Sequence, residues 1–407
     1  MIVLALNPGS GSLKFDLIAG EPSTDYRLTA RKLADGVVEP IGSEATLTLL
    51  ENRKPVIQDR VPVRDYGDTA RKTLQWIDSG RMSAASPIRL KDVDLLACRV
   101  VHGGDDYVTP VRVDEALVSA VERLDDLAPL HNIACASVIR AAREMLGAKV
   151  PAVAVFDTAF HSTLPERART YAIPREIAAR HGIRRYGFHG LSHQYLLLRY
   201  VELAGTKLDQ TNIITLHLGG GASATAIREG KSIDTSMGLT PLEGLVMSTR
   251  CGDLDAGVLT FLARKEGLDM EAMEELLNRQ SGLLGISGRS GDTRELVKLS
   301  PEDPRAQLAL DVFAYRAKKY LGAYLAVLGK ASAVVLGGVI AENTPEVRRR
   351  ICEGLEDFGL EFDPERNAAT IDREGRITRD GSRLHAYVIP SEEGIMMAQE
   401  AMRCWAA

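Results

Sequence analysis

Paired cysteines are missing from this sequence. Its five cysteines are widely separated and form no CxxC motif, and the chain has no low-complexity segment or short-period repeat. An odd number of cysteines at long spacings argues against a disulfide framework and against a zinc site. The cysteines are Cys98, Cys135, Cys251, Cys352 and Cys404.

Long apolar runs, an N-terminal signal segment and an excess of positive charge are missing as well. No stretch approaches the roughly 18 apolar residues of a membrane-spanning helix, and no basic segment with a long apolar core opens the chain. The formal net charge of −5 gives no indication of binding to nucleic acid or to a membrane surface. We therefore expect a cytoplasmic protein whose partners include neither nucleic acid nor membrane.

The sequence contains the elements of an α/β protein. Its 407 residues are more than one hydrophobic core usually organises, so we expect two domains, with a boundary soon after Asp157. Short apolar strands alternate with helical stretches, which is typical of an α/β architecture. The predicted strands lie at about 94–98, 151–156, 212–218, 332–336 and 384–390, and the predicted helices at about 65–78, 112–125, 132–147, 256–267, 270–279, 304–328 and 345–358.

The beginning of the chain predicts a β-hairpin. Ile2–Leu6 is an apolar run short enough for a buried strand, and Leu13–Ile18 mostly alternates apolar and polar residues. The connection, Asn7-Pro-Gly-Ser10-Gly-Ser12, has small residues, hydroxyls and backbone N–H groups, and Lys14 follows it. Such a tip suits a phosphate group, although an ordinary Gly/Ser turn has the same pattern.

A second Gly-rich tip lies half a chain further on. The strand at 212–218 leads into Gly219-Gly-Gly-Ala-Ser223 and a second strand to about Arg228. Neither tip has the GxxxxGK[ST] pattern or a helix directly after it, so neither is a Walker A loop or a Rossmann fingerprint. The two Gly-rich turns are either similar by chance or a pair of phosphate-binding tips. In the second case, each domain contributes one tip and the two tips hold a polyphosphate from both sides.

Two arginines stand where a ligand for anions is expected. Arg99 directly follows a buried strand, and Arg250 ends a loop rich in Gly, Ser and Thr. Each is either a carboxylate or phosphate ligand or a member of a structural ion pair. In one cleft, the two would clamp a small carboxylate and neutralise a transferring phosphoryl group.

Histidines and carboxylates complete the candidate residues. His189 and His193 are four residues apart, a spacing that suits a metal on a helix, but no Glu lies between them as in HExxH. A hydrogen bond from one histidine to a phosphoryl oxygen is therefore favoured. Asp157 ends a strand and is either catalytic, magnesium-linked, a helix cap or an ion-pair member. Glu392 and Glu393 open the last helix, where they are either near magnesium or simple first-turn charges.

The motifs together resemble the acetate kinase family. They come in that family's order and span nearly the whole chain, which makes the set specific although each motif alone is weak. The resemblance implies two similar α/β domains of the actin-like (ribonuclease H-like) type flanking a nucleotide cleft, and a homodimer. The expected domains are 1–157 plus 392–407, and 158–391. The motifs are Asn7-Pro-Gly-Ser-Gly-Ser-Leu-Lys14, Arg99-Val-Val-His-Gly-Gly104, Pro129-Leu-His131, Phe156-Asp-Thr-Ala-Phe-His161, Tyr186-Gly-Phe-His-Gly-Leu-Ser-His193, His217-Leu-Gly-Gly-Gly-Ala-Ser223, Asp234-Thr-Ser-Met-Gly-Leu-Thr-Pro-Leu-Glu-Gly244 and Thr249-Arg-Cys-Gly-Asp253.

The resemblance also implies an activity and a role for particular residues. The implied reaction is the reversible transfer of the γ-phosphoryl group of ATP to acetate, giving acetyl phosphate and ADP, with Mg²⁺, or Mn²⁺ in its place, bound near Asn7 and Glu392. Arg99 and Arg250 would hold the acyl carboxylate and the γ-phosphoryl group, His189 would donate to phosphoryl oxygens, and Asp157 is the family's catalytic acid/base. The substrate methyl group is assigned to Val101, Leu130, Phe188 and Pro241. The nucleotide and its phosphates are assigned to Lys14, Ser10, Ser12, His217, Leu218, Gly219, Gly220, Gly221, Asp292, Thr293, Arg294, Gly337, Gly338, Val339, Ile340 and Ala341.

The chemistry of the implied acceptor modifies one of these roles. A carboxylic acid with a pKa of about 4–5 is already ionised at pH 7 and needs no base to attack phosphorus. We therefore expect Asp157 to orient Arg250, or a magnesium-bound water, rather than to remove a proton. Catalysis then consists of positioning and electrostatic stabilisation of an in-line phosphoryl transfer.

Some positions depart from the family pattern and leave alternatives open. Gly220 stands where Asn is usual, and Ser391 replaces Asn before Glu392. The stretch Gly337-Gly-Val-Ile-Ala-Glu-Asn343 is one residue longer than the usual Gly-Gly-Ile-Gly-Glu-Asn and lacks its third Gly. The alternatives are a propionate or longer short-chain acyl kinase, a pyrophosphate-dependent acetate kinase, and a non-enzymatic nucleotide-binding switch. The bulk of Val101 favours a two-carbon acid over the longer ones.

Overall fold

The computed structural model describes residues 1–23, 26–51, 54–80, 88–128 and 131–407. These residues form two compact units. Unit 1 comprises Met1–Ala159 with Glu392–Ala407, and unit 2 comprises Phe160–Ser391. Each unit has its own mixed β-sheet with helices packed on it, so the predicted α/β class is confirmed.

Strands and α-helices are numbered along the chain. The strands are β1 (Ile2–Pro8), β2 (Leu13–Ala19), β3 (Arg31–Glu39), β4 (Glu44–Glu51), β5 (Lys54–Pro62), β6 (Leu95–Val100), β7 (Val111–Arg112), β8 (Ala152–Phe156), β9 (Ile213–Leu218), β10 (Ala222–Arg228), β11 (Lys231–Thr235), β12 (Ala333–Gly337), β13 (Gly375–Arg376) and β14 (His385–Val388). The helices are α1 (Tyr66–Asp78), α2 (Glu115–Arg123), α3 (Asn132–Leu146), α4 (Glu166–Arg169), α5 (Arg175–His181), α6 (Gly190–Ala204), α7 (Ala256–Glu266), α8 (Met270–Arg279), α9 (Gly282–Ser287), α10 (Thr293–Leu299), α11 (Pro304–Leu328), α12 (Val339–Asn343), α13 (Pro345–Cys352), α14 (Pro364–Ala369) and α15 (Glu393–Ala406).

The sheet of unit 1 has the strand order β5-β4-β3-β2-β1-β6-β8-β7. The predicted first hairpin is confirmed, because β1 and β2 pair antiparallel with Asn7 opposite Lys14. Strand β1 also pairs parallel with β6, which pairs parallel with β8. The carboxyl ends of these three strands therefore meet at one edge of the sheet, where α/β proteins usually place their ligand sites.

Helices cover the strands of unit 1 that carry this edge. Helix α1 packs on α3, which contacts β1 and β6, while α15 contacts β1, β2, β6 and β8. The inward side of α15 is apolar, with Met396, Met397 and Met402 buried. Burial of such side chains contributes roughly 1.5–3 kcal/mol each, so the C-terminal helix is held firmly on the sheet of the N-terminal strands.

The sheet of unit 2 has the strand order β11-β10-β9-β12-β14-β13. Strands β9 and β10 form the predicted second hairpin, with Leu218 opposite Ala222 across its Gly-rich tip. As with β1 in unit 1, the first strand of this hairpin pairs parallel with a later strand, here β12. The similarity between the two hairpins that the sequence indicates is thus repeated in the arrangement of the strands around them.

The helix predicted at 345–358 is the element that differs most from its prediction. Helix α13 ends at Cys352, and a separate 3-10 turn covers Glu356–Phe358. Gly354 lies between them with a φ of 76°, a left-handed conformation that ends a helix. In the described part of the chain, no helix combines the length and the apolar character needed to cross a membrane.

Candidate active site

The carboxyl edge of the unit 1 sheet brings together Asn7, Arg99 and Asp157. The Arg99 guanidinium donates through Nη1 to Asn7 Oδ1 at 3.0 Å and to the Pro8 carbonyl at 3.2 Å, and through Nη2 to Asp157 Oδ2 at 2.7 Å. The Arg99 and Asp157 side chains are only 11% and 1% exposed. Burial by itself would lower the pKa of Arg99, but the charges of Asp157 and Glu393 outweigh it and raise that pKa. The guanidinium is therefore a permanent positive charge in a fixed orientation.

Asp157 holds Arg99, a contact that the sequence analysis did not indicate. The reason is the parallel pairing of β6 with β8, in which Arg99 stands opposite Val155, two residues before the carboxylate. Any influence of Asp157 on Arg250 or on a magnesium-bound water stays a prediction. The pairing fits a carboxylate that positions a guanidinium better than one that removes a proton.

The two carboxylates at the start of α15 have different partners. Glu393 Oε2 accepts a hydrogen bond from Asn7 Nδ2 at 2.8 Å. Glu392 Oε2 instead lies 2.5 Å from Lys32 Nζ, which is also 3.0 Å from Asp16 Oδ1. The resemblance assigned Glu392 to magnesium near Asn7. The carboxylate that contacts Asn7 in the structure is that of Glu393, whereas Glu392 contacts Lys32 from β3.

The tip of the first hairpin is more closed than the sequence indicates. The N–H of Gly9 donates to the Ser12 carbonyl at 2.9 Å, and the N–H of Gly11 donates to the Tyr66 hydroxyl at 2.7 Å. Tyr66 in turn donates to the Gly9 carbonyl at 2.6 Å. Two of the N–H groups expected to face an anion are therefore used within unit 1, while Ser10 and Lys14 are exposed.

The tip of the second hairpin brings His189 and Arg250 together. A Cβ atom placed on Gly221 would lie 3.0 Å from His189 Nε2 and 3.4 Å from Arg250 Nη1, so both side chains flank this glycine closely. Gly219 N donates to the Gly221 carbonyl at 2.9 Å, and Ser248 N donates to the Gly220 carbonyl at 3.2 Å. A Cβ atom on Gly220 would meet only the Ser248 hydroxyl, at 4.0 Å, so the position has room for a β-carbon.

The histidines of unit 2 form a cluster behind this tip. His189, in a left-handed conformation with φ of 56°, directly precedes α6, and its ring stacks on that of His217 with 4.4 Å between centroids. His189 Nδ1 and His193 Nε2 both contact the Ser223 hydroxyl, at 2.9 and 2.8 Å. The i, i+4 pair thus shares a serine. His217 Nδ1 lies 2.7 Å from the Ser192 hydroxyl.

The loop that carries Arg250 is held by residues that the sequence analysis missed. Arg185 Nη1 donates to three successive carbonyls, Thr235 to Met237, at 3.0–3.1 Å, and its Nη2 donates to Glu243 at 2.5 Å. Burial acts to lower the pKa of Arg185, and the nearby Glu243 raises it, with a net increase. Asp253 accepts from Gly244 N at 2.9 Å and from the Tyr320 hydroxyl at 2.9 Å. Glu243 and Asp253 appeared only as members of motifs, and no local sequence pattern signals the contacts that Arg185 and Tyr320 make with them from distant parts of the chain.

The predicted nucleotide stretch adjoins the second tip. Gly338 has a φ of 87°, and a Cβ atom there would lie 2.6 Å from the Leu218 carbonyl oxygen, so only glycine fits. The Val339 side chain is exposed beside Gly219, whereas the Ile340 and Ala341 side chains are buried.

Buried charged side chains support this stretch and were also missed. Glu342 Oε1 accepts from Gly338 N at 3.0 Å and from Ser391 N at 2.9 Å. Arg348, fully buried, donates to carbonyls that include Ala341 at 2.5 Å. A buried charge with this many partners fixes the backbone around it.

The remaining predicted residues are those of the 292–294 stretch and those assigned to the substrate methyl group, and only some of them contact the second tip or Arg250. Asp292 caps α10 through Arg294 N at 2.8 Å and pairs with the Arg294 side chain at 2.6 Å, and Thr293 is buried. Their neighbour Gly291 packs on Ser248, next to the second tip. Val101 and Phe188 are buried, Pro241 accepts a hydrogen bond from Arg250 Nη1 at 3.2 Å, and Leu130 lies outside the described residues.

Comparison with known proteins finds relatives that match nearly the whole chain. The acetokinase family profile matches residues 2–399. The acetate kinase of Solibacter usitatus is 48% identical over 406 residues, which cover 99% of this chain and 98% of that protein. The crystal structure of Porphyromonas gingivalis acetate kinase has a TM-score of 0.87 at 37% identity and covers 99% of both chains. A propionate kinase from Francisella tularensis also has a TM-score of 0.87, at 34% identity and 98% coverage of both chains.

These full-length matches confirm the resemblance that the motifs predicted, and the similarity extends over both units. The glycines, arginines and histidines described above all lie within the matched residues. The chain therefore belongs to the acetokinase family.

Proposed function

We propose that this chain catalyses the reversible transfer of the γ-phosphoryl group of ATP to acetate, giving acetyl phosphate and ADP. The observation that carries the proposal is the tip at Gly221, flanked by His189 Nε2 and Arg250 Nη1. A Gly-rich tip lets phosphates approach the backbone, and a guanidinium and an imidazole beside it neutralise charge that spreads over the phosphoryl oxygens. Family membership supports the same reaction.

Arg99 supplies the second positive charge in this proposal. Its guanidinium is oriented by Asn7 and Asp157, so it can bind the acyl carboxylate without first losing side-chain entropy. Because acetate is ionised at neutral pH, no proton leaves it, and Asp157 acts as a positioning residue for Arg99. Two arginines and a histidine then provide electrostatic stabilisation of the transferring phosphoryl group.

Magnesium fits the donor set beside Asn7. The Glu393 carboxylate is a hard oxygen ligand that Asn7 Nδ2 orients, while Asn7 Oδ1 accepts from Arg99 Nη1. Mg²⁺ in kinases is usually held by one or two carboxylates together with substrate phosphates. We propose Glu393 as the carboxylate that would hold it, with Asn7 orienting that carboxylate and with Mn²⁺ able to replace Mg²⁺. When bound, the ion neutralises phosphate charge. The Lys32 ammonium beside Glu392 makes that carboxylate the weaker candidate.

Propionate is the second candidate acceptor. The solved propionate kinase matches this chain with the same TM-score as the solved acetate kinase. Val101, buried in unit 1, supports a preference for the two-carbon acid. One methylene is worth only ~1–3 kcal/mol in an apolar pocket, so the preference is partial.

A hydroxamate assay for acyl phosphate tests the proposal. Acetate, propionate and butyrate are each combined with ATP, GTP and pyrophosphate, and acetate with ATP is expected to react fastest. Arg99→Ala and Arg250→Ala should each lower kcat by orders of magnitude. The matched control is Arg60→Ala, since the Arg60 side chain is 86% exposed and its contact with Glu44, at 3.9 Å, is loose. Failure of every acid and donor pair to give acyl phosphate would refute the proposal.

We further propose that the protein is a homodimer that uses α7. This helix carries Val258, Leu259, Phe261 and Leu262, yet none of its residues is buried. An apolar helix face without a partner favours a protein interface, and a second copy is the partner that the family resemblance implies. Light scattering after gel filtration should show a dimer that Phe261→Glu disrupts. Phe358→Glu, at a residue of similar exposure (52% against 54%), should leave the dimer intact.

The two units are proposed to be the two expected domains, with boundaries at 157 and 392. Limited proteolysis at the junctions, followed by expression of 158–391 alone, tests this division. All described cysteines are free, which supports a reducing compartment such as the cytoplasm as the place of action.

A further inference from the structure

The Ser223 hydroxyl lies between two imidazole rings. Its oxygen is 2.9 Å from His189 Nδ1 and 2.8 Å from His193 Nε2. A serine hydroxyl has a single hydrogen, and in buried Ser223 that hydrogen needs an acceptor, which these two nitrogens alone supply among the described residues. The hydroxyl therefore donates to one nitrogen and accepts from the other. The direction of this pair of hydrogen bonds decides which nitrogen of His189 carries a proton.

His193 and Thr215 determine that direction. His193 is fully buried, and burial, followed by the nearby His161 and His217, holds its pKa well below the usual value. The ring is therefore neutral and has one N–H. Its Nδ1 lies 2.7 Å from the Thr215 hydroxyl, which is buried and makes no other hydrogen bond to a described residue. A buried hydroxyl hydrogen needs an acceptor, and Nδ1 is the one in reach.

The rest of the order follows from this first bond. With Nδ1 as acceptor, the proton of His193 is on Nε2, which donates to the Ser223 oxygen. Ser223 then donates to His189 Nδ1. In a neutral His189 the proton must therefore be on Nε2, the nitrogen 3.0 Å from the Cβ position of Gly221 at the second tip.

We propose that Thr215, His193 and Ser223 form a one-directional hydrogen-bond relay that fixes His189 as the tautomer with its proton on Nε2. The inference rests on the proposed function, because that tautomer can donate a hydrogen bond to a phosphoryl oxygen at the tip. The opposite tautomer would present a lone pair there and repel the same oxygen. His193, Ser223 and Thr215 are positioning residues in this scheme, since they act only through His189.

The other groups around His189 are compatible with the relay. His217 stacks on its ring from β9, Arg250 reaches the same glycine from the loop, and His161 packs edge-on against His193. His161 has a relay contact of its own: Nε2 donates to the Phe188 carbonyl at 3.0 Å, and Nδ1 lies 2.9 Å from the Ser232 hydroxyl. This second Ser–His contact, in the same unit, provides a matched control.

Long-range proton–nitrogen correlation spectra of the ligand-free, histidine-labelled protein test the relay directly. Wild-type His189 should show the Nε2–H tautomer alone. Ser223→Ala should introduce the Nδ1–H tautomer of His189, and Thr215→Val should introduce it partially. Thr215→Ser keeps the hydroxyl and should keep the wild-type tautomer. Ser232→Ala should leave the His189 signals unchanged. Wild-type protein with its proton on Nδ1, or a Ser223→Ala variant with an unchanged tautomer, would overturn the inference.

Kinetics supply the second readout. Loss of one oriented hydrogen bond to the transition state should lower kcat of Ser223→Ala by about tenfold, with KM for acetate and ATP within about twofold of wild type. An increase in KM without a fall in kcat would overturn the relay as a positioning device. The spectra need no substrate, so a chain that makes no acyl phosphate would refute the proposed function without deciding the tautomer.

Discussion

Replacement of Gly221 by alanine would add a methyl group at the most crowded point of the second tip. The new Cβ atom would lie 3.0 Å from His189 Nε2, 3.1 Å from its Cε1 and 3.4 Å from Arg250 Nη1. Carbon normally keeps about 3.5–4.0 Å from such atoms, so the imidazole must move by several tenths of an ångström. The backbone itself tolerates alanine, because Gly221 is not in the left-handed region.

The surroundings of His189 determine the size of the effect. Its ring is stacked on His217 at 4.4 Å and bound to Ser223 at 2.9 Å, so movement weakens a hydrogen bond worth about 0.5–1.5 kcal/mol. Misplacement of a catalytic group by up to 1 Å can cost about 100-fold in rate. We therefore expect kcat to fall by about 10- to 100-fold, equivalent to about 1.4–2.7 kcal/mol of transition-state stabilisation.

The neighbouring glycine provides the control for this prediction. In Gly220→Ala, the new methyl group meets only the Ser248 hydroxyl, at 4.0 Å. Steady-state acetyl phosphate formation with both variants, together with their melting temperatures, separates displacement of His189 from general damage to the tip. Equal kcat values for the two variants would refute the argument that Gly221 is required for the close approach of His189 and Arg250.

Three further predictions concern charged and titratable groups. Asp157→Asn removes the stronger of the two negative charges near the buried Arg99 and should cost up to about 3–5 kcal/mol in urea unfolding as well as most of the activity. An unchanged midpoint would contradict the pairing. Glu393→Gln should raise the Mg²⁺ concentration for half-maximal rate and weaken Mn²⁺ binding measured by calorimetry, both more than Glu392→Gln does, and the reverse order would favour Glu392. His193 has a lowered pKa when folded, so the unfolded chain binds its proton more readily and the free energy of unfolding should fall as the pH drops below about 6.5. His193→Gln should flatten that dependence in urea titrations at several pH values.

Local sequence patterns were sufficient for the secondary structure that carries the site. The run Ile2–Leu6 is apolar throughout and becomes a buried strand, because a strand inside a mixed sheet buries both of its faces. Helix α11 begins at Pro304 after the cap Asp303, since proline suits the first turn and the aspartate accepts the Arg305 N–H. Gly354 interrupts the helix predicted at 345–358 because it has a left-handed conformation. The sequence pattern did not reveal this conformation.

Contacts between distant elements could not be read in the same way. Adjacent Glu392 and Glu393 are equivalent in sequence, and their roles separate only because Lys32 arrives from β3. Glu342 appeared only as a member of a motif, but its carboxylate ties Gly338 to Ser391. Such choices depend on which side chains share a buried space, and burial makes an unpaired charge costly enough to select one partner.

The sequence by itself determined the family, the α/β class and most of the residues that line the two tips, because motifs and apolar periodicity are local properties of the chain. Only the tertiary structure decided that Asp157 holds Arg99, that Glu393 faces Asn7, and that Thr215, His193 and Ser223 reach His189 in series. Those relations arise from strand order and from α6 packing on β9. They join residues far apart in sequence, through hydrogen bonds whose strength and direction depend on burial.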